Sequence, residues 1–434
     1  MDANERYDPP RCMEGTRRSV MRKLEHWIHR DNGREGNPSS IFWLFGGVGA
    51  GKSAIAQTLA EKFKQKEDLA AGFFFFKPDG NRNDGNRLIP TLVYELIHAF
   101  PALTPLVEEK IFQNPDLFKK TRQKQMLDLL VDPLSKLKKT GVQTLLPRLI
   151  VIDALDECSD PDTQCDLLRI IASAVPSIPY PLRFLITSRS ESHIMRVFEH
   201  DLRTAARFNL SDDSNSDEDI QTFLEAEFAN IRRTHPLRQY LPSRWPSLES
   251  IRPIVERASG HFIYASTVIR FIQSPHHRPD DRLQVILGLR QPYEKDRPYA
   301  RLDLLYRLIF LEIQDRDQLE LIYRALGIMH LRSLKSGLLG SPKWISDRHA
   351  IETLLYFRPG DLRLVFDGLL SLISLEKGNI RILHKSLFDY LLDPSRSEDL
   401  QLDLGLAHGT VSNYILKHVN LHDNWSMSPS PPLR

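Results

Sequence analysis

Eight residues, Gly46-Gly47-Val48-Gly49-Ala50-Gly51-Lys52-Ser53, constrain this chain more than any other feature. Before them stands a short apolar run rich in β-formers, Ile41-Phe42-Trp43-Leu44-Phe45, and after them Ile55, Leu59 and Phe63 recur every four residues. The run suits a central strand buried on both faces, and the recurrence predicts a helix from Ser53 to about Lys64 with one buried stripe. Glycines between such a strand and such a helix let the backbone wrap its N–H groups around an anion, where the helix N-terminus adds positive potential. In the spacing G-x-x-x-x-G-K-S, the cradle comprises Gly46, Gly47, Val48, Gly49, Ala50, Gly51, Lys52, Ser53 and Ala54. Lys52 neutralises the β/γ-phosphates and Ser53 offers a hydroxyl to Mg²⁺. The expected ligand is ATP or GTP with Mg²⁺.

Length and charge narrow the surroundings of that loop. The 434 residues leave room for two to four domains, and 41% hydrophobic with 26% charged residues argues against bulk disorder. Lys and Arg number 58 against 56 Asp and Glu, so net charge gives no reason to expect nucleic acid or an anionic membrane as partner. The three cysteines, Cys12, Cys158 and Cys165, lack C-x-x-C spacing, which argues against a disulfide framework or a zinc site and for a reducing, cytoplasmic compartment. The polar N-terminus starts no signal peptide, and no apolar run approaches the ~20 residues of a membrane helix. Phe73-Phe74-Phe75-Phe76 reads as a second buried strand.

A magnesium-nucleotide site also needs a carboxylate at a strand end. Leu149-Ile150-Val151-Ile152-Asp153 is a branched apolar run that closes on one, placing Asp153 at the C-terminal edge of a parallel strand, where ligands bind in open α/β sheets. Asp153 is the expected second metal ligand beside Ser53. Of the acidic pair that follows, Asp156 is the first choice to orient an attacking water and Glu157 the second; the alternative is that they cap the next helix. A further strand, Leu182 to Thr187, ends in Ser188-Arg189-Ser190. Arg189 either senses the γ-phosphate or braces Asp156 or Glu157.

The series of phosphate loop, Leu-Ile-Val-Ile-Asp-Ala-Leu-Asp-Glu and Leu-Ile-Thr-Ser-Arg resembles the NACHT family of signal-transducing NTPases, of the STAND class. More narrowly, the chain is similar to fungal NACHT proteins described as nephrocystin-3-like. That likeness rests on the lead-in Cys12-Met13-Glu14-Gly15-Thr16-Arg17 with Trp27, on Ile41 to Leu44, and on Leu88-Ile89-Pro90-Thr91-Leu92. It spans about residues 10 to 395 and is looser beyond residue 200. The resemblance implies a sheet in which the strand ending at Arg189 lies between those carrying Lys52 and Asp153. It also implies a molecule that switches on nucleotide state.

Beyond this, Ser211 to Asp219 reads as a solvated acidic linker and helix start, followed by the helical pattern Ile220, Phe223, Leu224, Phe228. Ile251 to Ile272 reads as a helical region containing Gly260-His261-Phe262-Ile263-Tyr264-Ala265, the part that closes over nucleotide in NACHT-like ATPases. Helical patterns follow between Leu302 and Leu331 and from Leu362 to Leu370. Then Leu372 to Glu376, a Lys377-Gly378-Asn379 turn and Ile380 to Leu383 form a hairpin. Helices followed by such a ribbon suggest a winged helix, and without a basic cluster along it an intramolecular clamp is favoured over DNA binding. His384-Lys385-Ser386-Leu387-Phe388-Asp389-Tyr390-Leu391 resembles the segment that closes fungal NACHT modules. His384 accordingly either contacts bound diphosphate or anchors the hairpin to the next helix.

The expected organisation is an α/β fold: a lead-in over 1–37, a P-loop domain over 38–210, a helical domain over 211–295, a winged-helix-like domain over 296–395 and a tail over 396–434. The expected function is a slow nucleotide-dependent switch that forms homo-oligomers on activation and signals to an effector protein. The rivals are a nucleotide-stabilised scaffold and a metabolic P-loop kinase. Since family members usually carry effector and repeat domains, this chain reads as a bare switch, a truncated gene product or a degenerate paralogue.

Overall fold

The computed structural model describes residues 9–29, 39–140, 147–289, 297, 299–333, 348–370, 372–375, 380–383, 386–406, 408–410 and 412–413. It divides into two compact units, Met1–Gln291 and Pro292–Arg434. In the first, the order is α1 (Arg18–His29), β1 (Ile41–Phe45), α2 (Lys52–Gln65), β2 (Leu69–Phe74), α3 (Leu88–Ala99), α4 (Thr104–Gln113), α5 (Arg122–Met126) and α6 (Asp132–Lys139). There follow β3 (Leu149–Asp153), α7 (Pro161–Ala174), β4 (Arg183–Ser188), α8 (Ser192–His200), β5 (Ala206–Asn209), α9 (Ser216–Thr234), α10 (Leu248–Ala258), α11 (Phe262–Ile272) and α12 (Pro279–Leu287).

Five parallel strands form one sheet in the order β2-β3-β4-β1-β5. Alternate residues feed two cores, which is why the strands read as unbroken apolar runs. Ile41, Trp43, Ile150, Ile152, Phe184 and Ile186 pack under α3 to α8, whereas Phe42, Leu44, Leu149, Val151 and Leu185 pack under α1 and α2. The stripe Ile55, Leu59 and Phe63 is fully buried on the latter face. β4 lies between β1 and β3, the order the family resemblance implies, and the register pairs Phe45 with Ser188 and Ile152 with Ile186. The ends of all three strands therefore meet at one edge.

β2 is an outer strand, and two of its outward-facing groups are taken: Gly72 N–H donates to Glu95 Oε2 at 2.7 Å, and the Phe74 carbonyl accepts from Arg82 Nε at 3.2 Å. It starts at Leu69, four residues before the phenylalanine run, and ends inside it.

The region read as one helical stretch from Ile251 is two helices. Ser259 (φ 49°) and Gly260 (φ 84°) are left-handed, a conformation that ends a helix, and they turn the chain so that His261 precedes α11. The acidic stretch from Ser211 to Asp219 does start a helix and exposes Asp212, Ser214, Asn215, Asp217 and Glu218. Two carboxylates depart from its reading as solvated: the Asp213 side chain is 4% exposed and Asp219, in the first turn of α9, is buried. The reason is Arg17, from the far end of the sequence, which pairs with Asp213.

The second unit holds α13 (Ala300–Leu311), α14 (Arg316–Ser333), α15 (Arg348–Leu354), α16 (Asp361–Val365), the antiparallel pair β6 (Ile373–Ser374) and β7 (Arg381–Ile382), α17 (Ser386–Leu391) and α18 (Pro394–Ser397). The pattern from Leu362 to Leu370 thus becomes a short helix and a 3₁₀ turn, Asp367–Leu369. The turn Lys377 to Asn379 lies outside the described residues, as does His384. Packing continues past residue 395, since Leu400 and Leu402 are buried and Leu402 N–H donates to the Leu391 carbonyl at 2.8 Å. Among the described residues no helix is long and apolar enough to cross a membrane.

Trp43 joins the sheet to its helices. Its ring stacks on Phe198 with centroids 4.2 Å apart, and its Nε1 donates to Ser188 Oγ at 2.8 Å. Trp43→Ala should cost about 3–5 kcal/mol in urea unfolding, the range for emptying a large aromatic site. A loss under about 1 kcal/mol would contradict this packing.

Candidate nucleotide site

The loop between β1 and α2 is held by its carbonyls. Lys52 Nζ donates to the carbonyls of Gly46 and Gly47 at 2.8 and 2.9 Å. His261 Nδ1 donates to Val48 O at 3.1 Å, which places a proton on that nitrogen, and Ile263 N–H donates to Gly49 O at 3.3 Å. Arg17 Nη2 donates to Ala50 O at 2.9 Å. Five consecutive carbonyls are thus each bound by a donor. In a trans peptide the C=O and the following N–H point opposite ways, so anchoring the carbonyls turns the N–H groups of Gly47, Val48, Gly49 and Gly51 to the other side, while the Ala50 N–H donates back to the Gly47 carbonyl at 3.4 Å. There they join the first N–H groups of α2, which have no partner within the helix. Gly51 precedes α2 in a left-handed conformation (φ 94°) with no side-chain cap. An uncapped helix start behind a row of inward N–H groups is the donor set that phosphate oxygens require.

Close packing explains one glycine. Gly49 (φ 71°) abuts α11 so tightly that an added Cβ would lie 2.2 Å from Ile263 Cγ2. The sequence placed this region near the loop only through resemblance; Arg17, His261 and Ile263 as loop-holding residues were not anticipated.

The acidic strand end is organised by Thr187. Its hydroxyl donates to Asp153 Oδ1 at 2.6 Å and accepts from Ala154 N–H at 2.9 Å, so β4 orients the carboxylate at the tip of β3. Asp153 is buried. Ala154 is left-handed (φ 54°), and a 3₁₀ turn, Leu155–Glu157, carries the acidic pair back towards the site. Asp156 is bound to Arg189 twice: Arg189 N–H donates to Oδ1 at 2.9 Å, and Nε lies 3.1 Å from Oδ2. Of the two roles open to Arg189, the brace is the one with a contact here. Glu157 Oε2 accepts from Lys77 N–H at 3.1 Å. Neither carboxylate caps the next helix; Asp160 does, accepting from Thr163 N–H at 2.9 Å.

Charge gathers around Lys52. Its pKa is pushed down to about 8, first by desolvation and also by Arg189, while Asp156, Asp153 and Glu157 oppose the fall. The Glu157 pKa is raised, chiefly by burial and also by Asp156 and Asp153, with the Lys77 N–H acting against the shift. Lys52, Asp153, Asp156, Glu157 and Arg189 therefore share one electrostatic neighbourhood, with Ser53 in the first turn of α2. Ser53 and Asp153 are hard oxygen donors of the kind Mg²⁺ takes. Metal and nucleotide fit the residues present.

The family model described as nephrocystin 3, N-terminal, matches residues 16–189, under half of the 434-residue chain. The match begins beside Arg17 and ends on Arg189. No curated protein matches. Among solved structures, the Aeropyrum pernix Orc1 protein in complex with DNA is similar over 93% of this chain and 94% of its own, at 13% identity and a TM-score of 0.38. That likeness is too distant to assign a ligand.

The lowered pKa of Lys52 has a measurable consequence. A bound polyphosphate favours the charged ammonium, so binding raises this pKa. At about pH 8.5 nucleotide binding should take up about three quarters of a proton, falling to about a tenth at about pH 7, where the lysine is already charged. Calorimetry in buffers of different ionisation enthalpy reads the uptake, and Lys52→Arg should abolish it because arginine stays protonated. For the free protein the sign is opposite to a salt bridge: the folded pKa, about 8, lies below the ordinary 10.5, so the desolvated Lys52 charge costs stability at lower pH, and that cost is relieved as pH rises between the two values.

Proposed function

We propose that this chain is a nucleotide-dependent switch of the NACHT type, binding ATP or GTP with Mg²⁺ and hydrolysing it slowly. The observation that carries this is the loop from Gly46 to Ala50, whose five carbonyls are each bound to a donor, two of them by Lys52, while the N–H groups of Gly47, Val48, Gly49 and Gly51 face the cradle side. The match to the nephrocystin 3 family model over residues 16–189 supports the same reading. In it, the loop N–H groups and Lys52 hold the phosphates and Ser53 and Asp153 hold Mg²⁺, which when bound supplies charge neutralisation at the phosphate oxygens.

The geometry favours Glu157 over Asp156 for activating water. Both Asp156 oxygens are engaged by Arg189, whereas Glu157 is a partly buried carboxyl whose raised pKa suits proton transfer. Asp156 then fixes Arg189 at the tip of β4. Turnover is slow in this account because the residue directly after Asp153 is Ala154, which has no carboxylate. A homo-oligomeric active form and an effector partner belong to the same proposal.

Lys52→Ala should abolish nucleotide-dependent thermal stabilisation, which at one hundred times the dissociation constant is ~2.7 kcal/mol for the wild type. Equal shifts in the two proteins would remove Lys52 from the site. Glu157→Gln should preserve binding and lower hydrolysis by about 10²-fold or more, the size of a general-base contribution. If hydrolysis survives Glu157→Gln and falls only with Asp156→Asn, the two roles are reversed. A protein that stabilises with nucleotide but never turns it over would instead be a scaffold.

A further inference from the structure

Arg17 does more than satisfy one loop carbonyl. It is fully buried and left-handed (φ 54°), an uncommon state for a residue with a long side chain. Nη1 donates to Asp213 Oδ2 at 2.7 Å and to Ser216 Oγ at 2.9 Å. Nη2 reaches Ala50 O at 2.9 Å and Gly260 O at 3.4 Å, and the guanidinium lies 4.9 Å from the centre of the Phe262 ring. One planar group therefore joins the phosphate loop, the start of α9 and the reversal between α10 and α11. Asp213 stands 196 positions from it in sequence.

The energetics make this a coupling and not a collection of contacts. The Arg17 and Asp213 side chains are 2% and 4% exposed, so salt screens their attraction little, and separating them strands a buried charge. Ala50 C=O and Gly51 N–H belong to one peptide, so the donor that Gly51 presents to the cradle is oriented by the bond Arg17 makes behind it. A shift of the loop on Nη2 must be followed by α9, or the Nη1 bonds are lost.

We infer that Arg17 is the positioning residue through which occupancy of the phosphate loop is passed to α9, α10 and α11. This rests on the reading of the loop as a nucleotide site. Lysine keeps the buried charge, but its single ammonium lacks the fixed fork that binds both sides at once. Arg17→Lys should therefore uncouple the helices and, because Gly51 loses a fixed orientation, also weaken binding, so the variant is compared with the wild type at saturation.

The test is hydrogen exchange on the full chain with and without saturating Mg-ATP and Mg-GTP, each affinity being measured separately by titration. In the wild type, nucleotide should slow exchange in α2 and, by about tenfold, across α9 to α11, the size of an ordinary coupling energy. In Arg17→Lys at saturation the slowing in α2 should persist and that in α9 to α11 should be mostly lost. A merely structural arginine predicts faster exchange throughout with the nucleotide-induced ratio in α9 to α11 unchanged, and that result overturns the inference. So does a wild type that binds nucleotide without protecting α9 to α11, which leaves the proposed function standing. A wild type that binds neither nucleotide removes both. If Arg17→Lys does not fold, Asp213→Asn removes the same anchor from the other side, and protection that persists in it is equally decisive against the coupling.

Discussion

Five peptide carbonyls in a row, each bound to a donor, are the constraint on which the rest of this site depends. A glycine-rich loop is free to adopt many shapes, and freedom is a cost when one shape must meet an anion. Here that cost is offset by groups beyond the loop's glycines: the lysine that opens α2, a histidine and an amide at the head of α11, and an arginine before α1. The cradle's inner face is therefore determined from its outer face. Thr187 does the same for Asp153, with one hydroxyl bonded both to the carboxylate and to the next backbone amide.

This arrangement explains what was legible in the sequence and what was not. The strands β1, β3 and β4, the helix α2 and the loop between them are local patterns, and a parallel sheet buried on both faces imposes those patterns residue by residue. Asp153 was legible for the same reason, because a carboxylate closing an apolar run has few places to go. Asp213 was not. An acidic, serine-rich stretch looks solvated, and only the approach of Arg17 from the other end of the chain makes burying that carboxylate tolerable. The division between α10 and α11 was missed although Gly260 stands there, since the turn begins one residue earlier at Ser259, which does not advertise a left-handed conformation. That Arg189 meets Asp156 is a matter of distance, on which composition and spacing are silent.

Asp156 and Glu157 show how adjacent carboxylates acquire different character from identical chemistry. One is matched to a cation and a backbone amide, and the other is desolvated beside two like charges. The left-handed turn at Ala154 makes this divergence available, since it sends neighbouring side chains into different surroundings.

The outer edge of β2 bears on how copies of this protein can meet. Glu95 occupies the Gly72 amide and Arg82 the Phe74 carbonyl, so an incoming strand would have to displace a carboxylate and a guanidinium before forming its first ladder bonds. Sheet extension at this margin is therefore disfavoured, as is the fibrous growth that open margins invite. Contact between copies along this margin is left to side chains and not to the backbone ladder.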